Sequence, residues 1–180
     1  NTSLLNAEES HDFQVDLQIA LGIACAYPEY YKQDFDTYKK FLTEQKFELK
    51  LENGEIYYGT LDALMMDHAG DWWILETKTA APSTVSADYF ERVRIDSQVS
   101  GYMHGAKQIT GSFPRGIVYN VIKKPAIRLK SGESYQAFQQ RVYHEYTKLA
   151  KEKQYFTREE LIVGTTRLEE WLHDTTQRSE

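Results

Sequence analysis

Three ionisable side chains stand where a buried strand should carry apolar ones. The stretch "GTLDALMMDHAGDWWILETKT", residues 59–79, reads as two apolar runs around a polar turn. Asp62 interrupts the first run; Glu76 and Lys78 interrupt the second. Side chains of a strand alternate between its faces, so Trp72, Ile74, Glu76 and Lys78 share one face and Thr77 takes the other. In the preceding strand Tyr58, Thr60, Asp62, Leu64 and Met66 share a face. If residues 67–71 form the turn, Met66 faces Trp72 and Asp62 stands opposite Glu76, with β-carbons about 5 Å apart. A slip of one residue would put the two acids on opposite faces.

Two carboxylates that close repel each other, and burial sharpens the repulsion. Either one takes a proton or a cation sits between them. Hard oxygen ligands suit Mg²⁺ or Mn²⁺, which bind one or two carboxylates and keep several waters. A lysine on the same side can orient a water, deprotonate it, or stabilise charge on a phosphate. The set is therefore suited to phosphodiester hydrolysis. The same residues also suit a buried carboxylate–lysine ion pair, because Glu-x-Lys is a common tripeptide. The apolar setting "WWILE" favours function: burying charge costs several kcal/mol unless it is paired.

The elements that must position these residues follow from periodicity. "HDFQVDLQIALGIACAYPEYY" carries Phe13, Leu17, Ala20, Leu21 and Ala24 at helical spacing, with Ser10 as a cap and Pro28 near the end. Residues 34–43 read as a second helical piece. The period then changes to two, and Asn53-Gly54 signals a turn between strands 44–51 and 55–66. A third strand spans 72–79. Pro82 and Ser83 break the chain before a long helix at 87–109. Residues 114–124 form a fourth strand. Residues 133–152 form an amphipathic helix with Tyr135, Phe138, Val142, Tyr146 and Leu149 on one face. "YFTREELIVGTT" ends in a short strand, and "RLEEWLHDT" is a last helix. The expected fold is one α+β domain over 1–180, a small mixed sheet with an antiparallel meander flanked by helices.

Bulk properties set limits. The chain has 180 residues, 21.0 kDa and a net charge of −6. No apolar run approaches the roughly 18 residues of a membrane span, and no signal-peptide pattern opens the chain. The single Cys25 reads as a small core residue in a reducing cytoplasm, with no internal disulfide. Residues 97–132 contain no acid but carry Lys107, Arg115, Lys123, Lys124, Arg128 and Lys130. An acidic protein can still present one basic face to phosphate.

At these residues the sequence resembles the PD-(D/E)XK nuclease superfamily, most closely its RecB-like exonuclease branch, which includes phage recombination and CRISPR-associated nucleases. The family pattern is Gly-x-x-Asp on one strand and (Asp/Glu)-x-Lys on the next, here "GTLD" (59–62) and "ETK" (76–78). A following helix carries Gln-x-x-x-Tyr, here "QVSGY", Gln98 to Tyr102. The resemblance covers about residues 44–124. It implies a restriction-endonuclease-like core, with Asp62, Glu76 and the Thr77 backbone carbonyl as ligands of Mg²⁺ or Mn²⁺. It implies that Lys78 positions or activates the hydrolytic water, while Gln98 and Tyr102, one helical turn apart, help hold DNA and the lysine. Arg94 either reaches a phosphate or faces solvent.

Three features depart from the pattern. His11 is the sole histidine before the sheet, either near the metal or in a capping or solvated role. Glu44 is either a further acidic ligand or a charge at a strand edge. One cysteine permits no iron–sulfur cluster within this chain. The start without Met and the abrupt "TTQRSE" suggest a piece of a longer protein. The resemblance implies a cytoplasmic DNA nuclease in phage or bacterial recombination or repair, acting on duplex ends or single strands, beside a recombination partner protein and with no membrane. An endonuclease on the same core and a silent nucleic-acid-binding module are the alternatives.

Overall fold

Alternating charged and apolar residues from Lys46 to Lys50, an Asn-Gly turn and a second apolar run produce the long hairpin at one edge of the sheet. The computed structural model describes residues 7–81, 85 and 88–177, without the side chains of residues 7 and 8. Strand β1 (Tyr38–Lys50) pairs antiparallel with β2 (Ile56–Asp67), and β2 pairs antiparallel with β3 (Trp72–Ala80). The β2–β3 register is the expected one, from Met66↔Trp72 to Ala63↔Leu75. The turn between them is closed by Asp67, whose carboxylate accepts from Asp71 N–H and Trp73 Nε1.

Strands β4 (Gly116–Lys123) and β5 (Phe156–Leu161) complete a five-stranded sheet in the order β1-β2-β3-β4-β5. Arg115 N–H donates to the Trp72 carbonyl, and Asn120 Nδ2 to Thr77 Oγ1. Both contacts keep the same offset, so β4 runs parallel to β3. A parallel step needs a long crossover, supplied by helices α3 (Tyr89–Arg94) and α4 (Ser97–Thr110). β4 is buried from Gly116 to Ile122, as a central strand of such a sheet must be. The fold is mixed α+β around a small sheet, as expected.

The chain divides into two compact units, 1–33 with 123–156, and 34–122 with 157–180. The second holds the sheet apart from its end residues Lys123 and Phe156, together with α2 (Asp34–Thr37), α3, α4 and α7 (Thr165–Gln177). In it, Val99, Met103 and Ala106 of α4 join Phe47, Leu61, Leu64, Ile74 and Ile117 in one core. Each fully buried aliphatic side chain contributes about 1.5–3 kcal/mol. Gly59 and Gly105 both face the Phe47 ring, where an added β-carbon would stand 2.7 and 2.5 Å from it. These two glycines let α4 lie close on the hairpin.

The first unit holds α1 (Ala7–Tyr30), α5 (Tyr135–Lys148) and α6 (Ala150–Lys153). Phe138, Val142 and Tyr146 of α5 are buried, as its periodicity predicts. The expected stripe of α1 is corrected. Phe13 and Leu21 are 48% and 40% exposed, while Gln18, Gly22 and Ala26 are buried, with Gly22 against Val142. α1 is apolar on nearly every side, so periodicity could not choose the face, and the small side chains chose it by allowing close approach. Cys25 is exposed rather than core for the same reason. Ser10 lies inside α1 and Pro28 in its last turn.

Other boundaries differ from expectation. β1 begins at Tyr38, where a helix was expected to reach 43. The single helix expected at 87–109 is two, because Asp96 takes an extended conformation and caps α4 by accepting from Gln98 N–H at 2.8 Å. Residue 87 and the break at Pro82 and Ser83 lie outside the described residues. The helix expected at 133–152 is interrupted at Leu149, and the final strand ends at Leu161.

Candidate active site

Glu76 is the most deeply buried charge-bearing group of the sheet, at 1% exposure in the middle of β3. It is there because β3 is an interior strand between β2 and β4, and its face is covered by α4. The Lys78 ammonium, two residues on along the same face, forms an ion pair with Glu76 Oε1. Among the described residues, Glu76 Oε2 is buried with no hydrogen-bond donor. A buried carboxylate oxygen left bare costs free energy.

Asp62 is half-buried, and its Oδ2 accepts the Thr77 backbone N–H at 2.8 Å. That bond ties β2 to β3 beside Glu76. It sits one step beyond the paired rung Ala63↔Leu75, where the register places Asp62 opposite Glu76. Across β1, the ladder passes from Thr43↔Ala63 to Gln45↔Leu61 and omits Glu44 and Asp62. Glu44 has φ +52°, a left-handed conformation that non-glycine residues seldom adopt. The register is the same on both sides of Glu44, so the pairing carries no bulge there, and the register sets Glu44 opposite Asp62. Glu44 itself is exposed.

The electrostatics follow from this geometry. Burial pushes the Glu76 pKa up; the Lys78 ammonium opposes that shift and the Asp62 carboxylate adds to it. Burial pulls the Lys78 pKa down, but the hydrogen bond and charge of Glu76 outweigh it, and the net shift is upward. Both partners of one ion pair are thus raised: desolvation dominates for the buried acid and pairing for the lysine, whose side chain is 38% exposed. Lys78 is held protonated. It is a donor in this state rather than a base. Tyr102 is raised by burial first and then by Glu76, so its hydroxyl also stays protonated.

Asp62, Glu76, Lys78 and Tyr102 are therefore brought within electrostatic reach of one another. Tyr102 reaches them from α4, with its ring edge-on to Phe47. Gln98 is exposed in the first turn of α4, its backbone N–H held by Asp96. Arg94 lies on α3, not on the α4 stripe, and pairs with Glu159 at 3.1 Å. His11 belongs to the other unit, where its Nδ1 bonds the Tyr135 hydroxyl at 2.8 Å.

Two residues near the site were not singled out from sequence. Tyr119, beside Glu76 in the parallel β3–β4 register, is 7% exposed, and its pKa is raised by burial, by a hydrogen bond with Tyr89, and also by Glu76. Asn120, 1% exposed, lies behind Thr77. The signal for both was present in "GIVYNVI": polar groups inside an otherwise apolar strand.

Among the described residues no group of three or more His, Cys, Asp or Glu side chains could hold a metal ion. The donor set on offer is two carboxylates with the Thr77 carbonyl beside them. That is sparse for a caged ion but within what Mg²⁺ or Mn²⁺ takes when water completes its shell. The bare Oε2 of Glu76 fits the same purpose.

No family model matches the chain. No curated protein matches it either. A solved structure, that of SSO0001, is similar at 13% identity and a TM-score of 0.45, over 89% of this chain and 60% of that one. The present chain thus spans about three-fifths of that protein's length, and a likeness at this level carries no argument about family or activity. No helix among the described residues is long and apolar enough to cross a membrane.

Proposed function

We propose that the protein is a Mg²⁺- or Mn²⁺-dependent DNA nuclease on a restriction-endonuclease-like core, with exonuclease action in phage or bacterial recombination or repair. The observation that carries the reading is the buried carboxylate of Glu76, bare on one oxygen, with Asp62 on the neighbouring strand and Lys78 on the same face. Asp62, Glu76 and the Thr77 carbonyl would hold the ion. When bound, it would neutralise the paired carboxylates and act as a Lewis acid toward a phosphate oxygen.

This chain's own residues do the rest. Lys78, protonated by its pairing with Glu76, donates to the attacking water or to the charged phosphate. Tyr102 supplies a second protonated donor. Apolar surroundings from Leu61, Leu64 and Ile74 limit water to the exposed side. Lys107 and Arg115 in the sheet-bearing unit, and Lys123, Lys124, Arg128 and Lys130 in the other, are the cations offered to DNA phosphates.

The test is direct. The protein and Lys78→Ala are incubated with end-labelled linear DNA and with closed circular DNA, with Mg²⁺ or Mn²⁺. Metal-dependent loss of linear DNA alone, abolished by the substitution, is the expected result. Cutting of circles would replace exonuclease by endonuclease. Absence of metal-dependent cleavage with DNA binding retained would sink the enzyme reading.

A further inference from the structure

A partly buried polar chain, with Asn120 fully buried at its centre, runs through the sheet behind the candidate site. Asp34, at the start of α2, takes both terminal nitrogens of Arg158 on β5, at 2.7 and 2.9 Å. Arg158 Nε donates to Asn120 Oδ1 on β4. Asn120 Nδ2 reaches Thr77 Oγ1 on β3, at 3.4 Å. The Thr77 backbone N–H then donates to Asp62 Oδ2 on β2. Five residues thus connect four strands and α2, and the last contributes a carboxylate of the site.

Stability alone is a poor reason for this arrangement. The Arg158 and Asp34 side chains are only 18% and 17% exposed, and Asn120 is 1% exposed on a strand that is otherwise apolar. Well-packed apolar residues in place of a buried ion pair are often neutral or stabilising. What the chain does provide is geometry. Thr77 is gripped on both sides, by its hydroxyl from behind and by its peptide N–H in front. Its peptide plane, and the carboxylate hanging from it, cannot rotate independently of Asn120. Outer partners that orient a ligand side chain typically matter 10–100-fold in metal affinity.

We propose that Asn120 and Arg158 are positioning residues: through Thr77 they fix the orientation of the Asp62 carboxylate and the Thr77 carbonyl for a divalent cation. This rests on the nuclease reading for its purpose, but not for its geometry. Neither residue touches the reacting atoms.

Two variants and two readouts test it. Asn120→Leu removes the central link. Thr77→Val removes only the hydroxyl at nearly constant volume and serves where the first variant folds poorly. Asn120→Asp keeps the acceptor for Arg158 and can accept from the Thr77 hydroxyl, reversing the direction of that bond. Mn²⁺ titration, followed through the resonance of free Mn²⁺, is expected to show about 10-fold weaker binding in the first two and recovery to within about twofold in the third. In the metal-free protein, the residue 77 amide is expected to exchange about 10-fold faster in the first two, with β1 amides unchanged. Unaltered exchange and unaltered Mn²⁺ affinity in Thr77→Val would overturn the proposal. Faster exchange in a protein that, even as wild type, binds no Mn²⁺ would overturn the nuclease reading and the positioning role with it, while leaving the hydrogen-bonded chain itself in place.

Discussion

Glu76 and Glu133 are both glutamates paired with a cation, and they answer to opposite forces. Glu133 takes the Arg141 side chain on both oxygens, at 2.8 and 2.7 Å, and also accepts the Lys130 backbone N–H. Those hydrogen bonds, with Arg141 the largest, hold its carboxyl at about 2, well below the usual range. Glu76 has one lysine, one bare oxygen and almost no water, and burial pushes its pKa the other way. The first is a clasp that is satisfied as it stands. The second is a carboxylate the fold leaves short of partners, which is where a ligand has something to gain. An acid–base pair marks a site only when its own partners leave it incomplete.

The largest expected break in this contrast comes from Lys78→Ala. Loss of a positioned proton donor should cut metal-dependent cleavage by about 10²–10⁴-fold, read in the linear-DNA assay. Arg141→Ala opens a clasp that holds Glu133 and the Arg128 carbonyl but none of Asp62, Glu76 and Lys78, and should lower that rate far less than Lys78→Ala does.

The next effect is on stability and has opposite signs at the two glutamates. Glu76→Gln removes a desolvated charge and should stabilise the metal-free protein by about 0.5–2 kcal/mol at pH 7 while losing Mn²⁺ affinity, the usual exchange between stability and function. Glu133→Gln should lower the melting temperature at the same pH. Urea denaturation of both, with and without Mn²⁺, checks the pair of signs.

pH separates them further. Glu133 has a depressed folded pKa, so its contribution is present above the ordinary carboxylate range and is lost as pH falls toward about 2. Glu76 has a raised folded pKa, so its contribution is present below the ordinary range and is lost as pH rises through the folded value. Wild type and Glu133→Gln should therefore converge in stability in strong acid, and wild type and Glu76→Gln should diverge toward neutral pH. Denaturation curves over about pH 2–8 measure both.

The smallest effect concerns the left-handed residue opposite Asp62. Glu44→Gly relieves a left-handed conformation that costs about 1–2 kcal/mol but loosens the unfolded chain, so stability should change by under about 1 kcal/mol. If Glu44 serves only to shape β1, Mn²⁺ affinity stays unchanged in this variant; a marked loss would make Glu44 a ligand.

Much of this site was legible in local sequence. The polar turn at 67–71 and the alternation on either side implied the register found, because a tight turn leaves few ways for two apolar faces to meet. Asp62, Glu76 and Lys78 were visible as charges inside apolar runs. Tyr102 entered only through the Gln-x-x-x-Tyr of the family resemblance, not through local spacing. Less local features were hidden. Asp96 splits the helix because its side chain caps the next one, a choice between two plausible helical readings. Glu44 takes a left-handed conformation inside β1 without any glycine to announce it.

By itself, the sequence determined the hairpins and the identity of the charged group, because turn chemistry and the period of two act between neighbours; the register it offered depended on the turn being 67–71, and the structure selected that one. Tertiary structure decided what those charges feel. It buried Glu76 under α4, left Cys25 and Phe13 outside by packing the small side of α1, and set Asn120 and Arg158 behind Thr77. Desolvation and long-range hydrogen bonds depend on segments far apart in the chain, such as Asp34, Asn120 and Arg158, and no local pattern records where those segments meet.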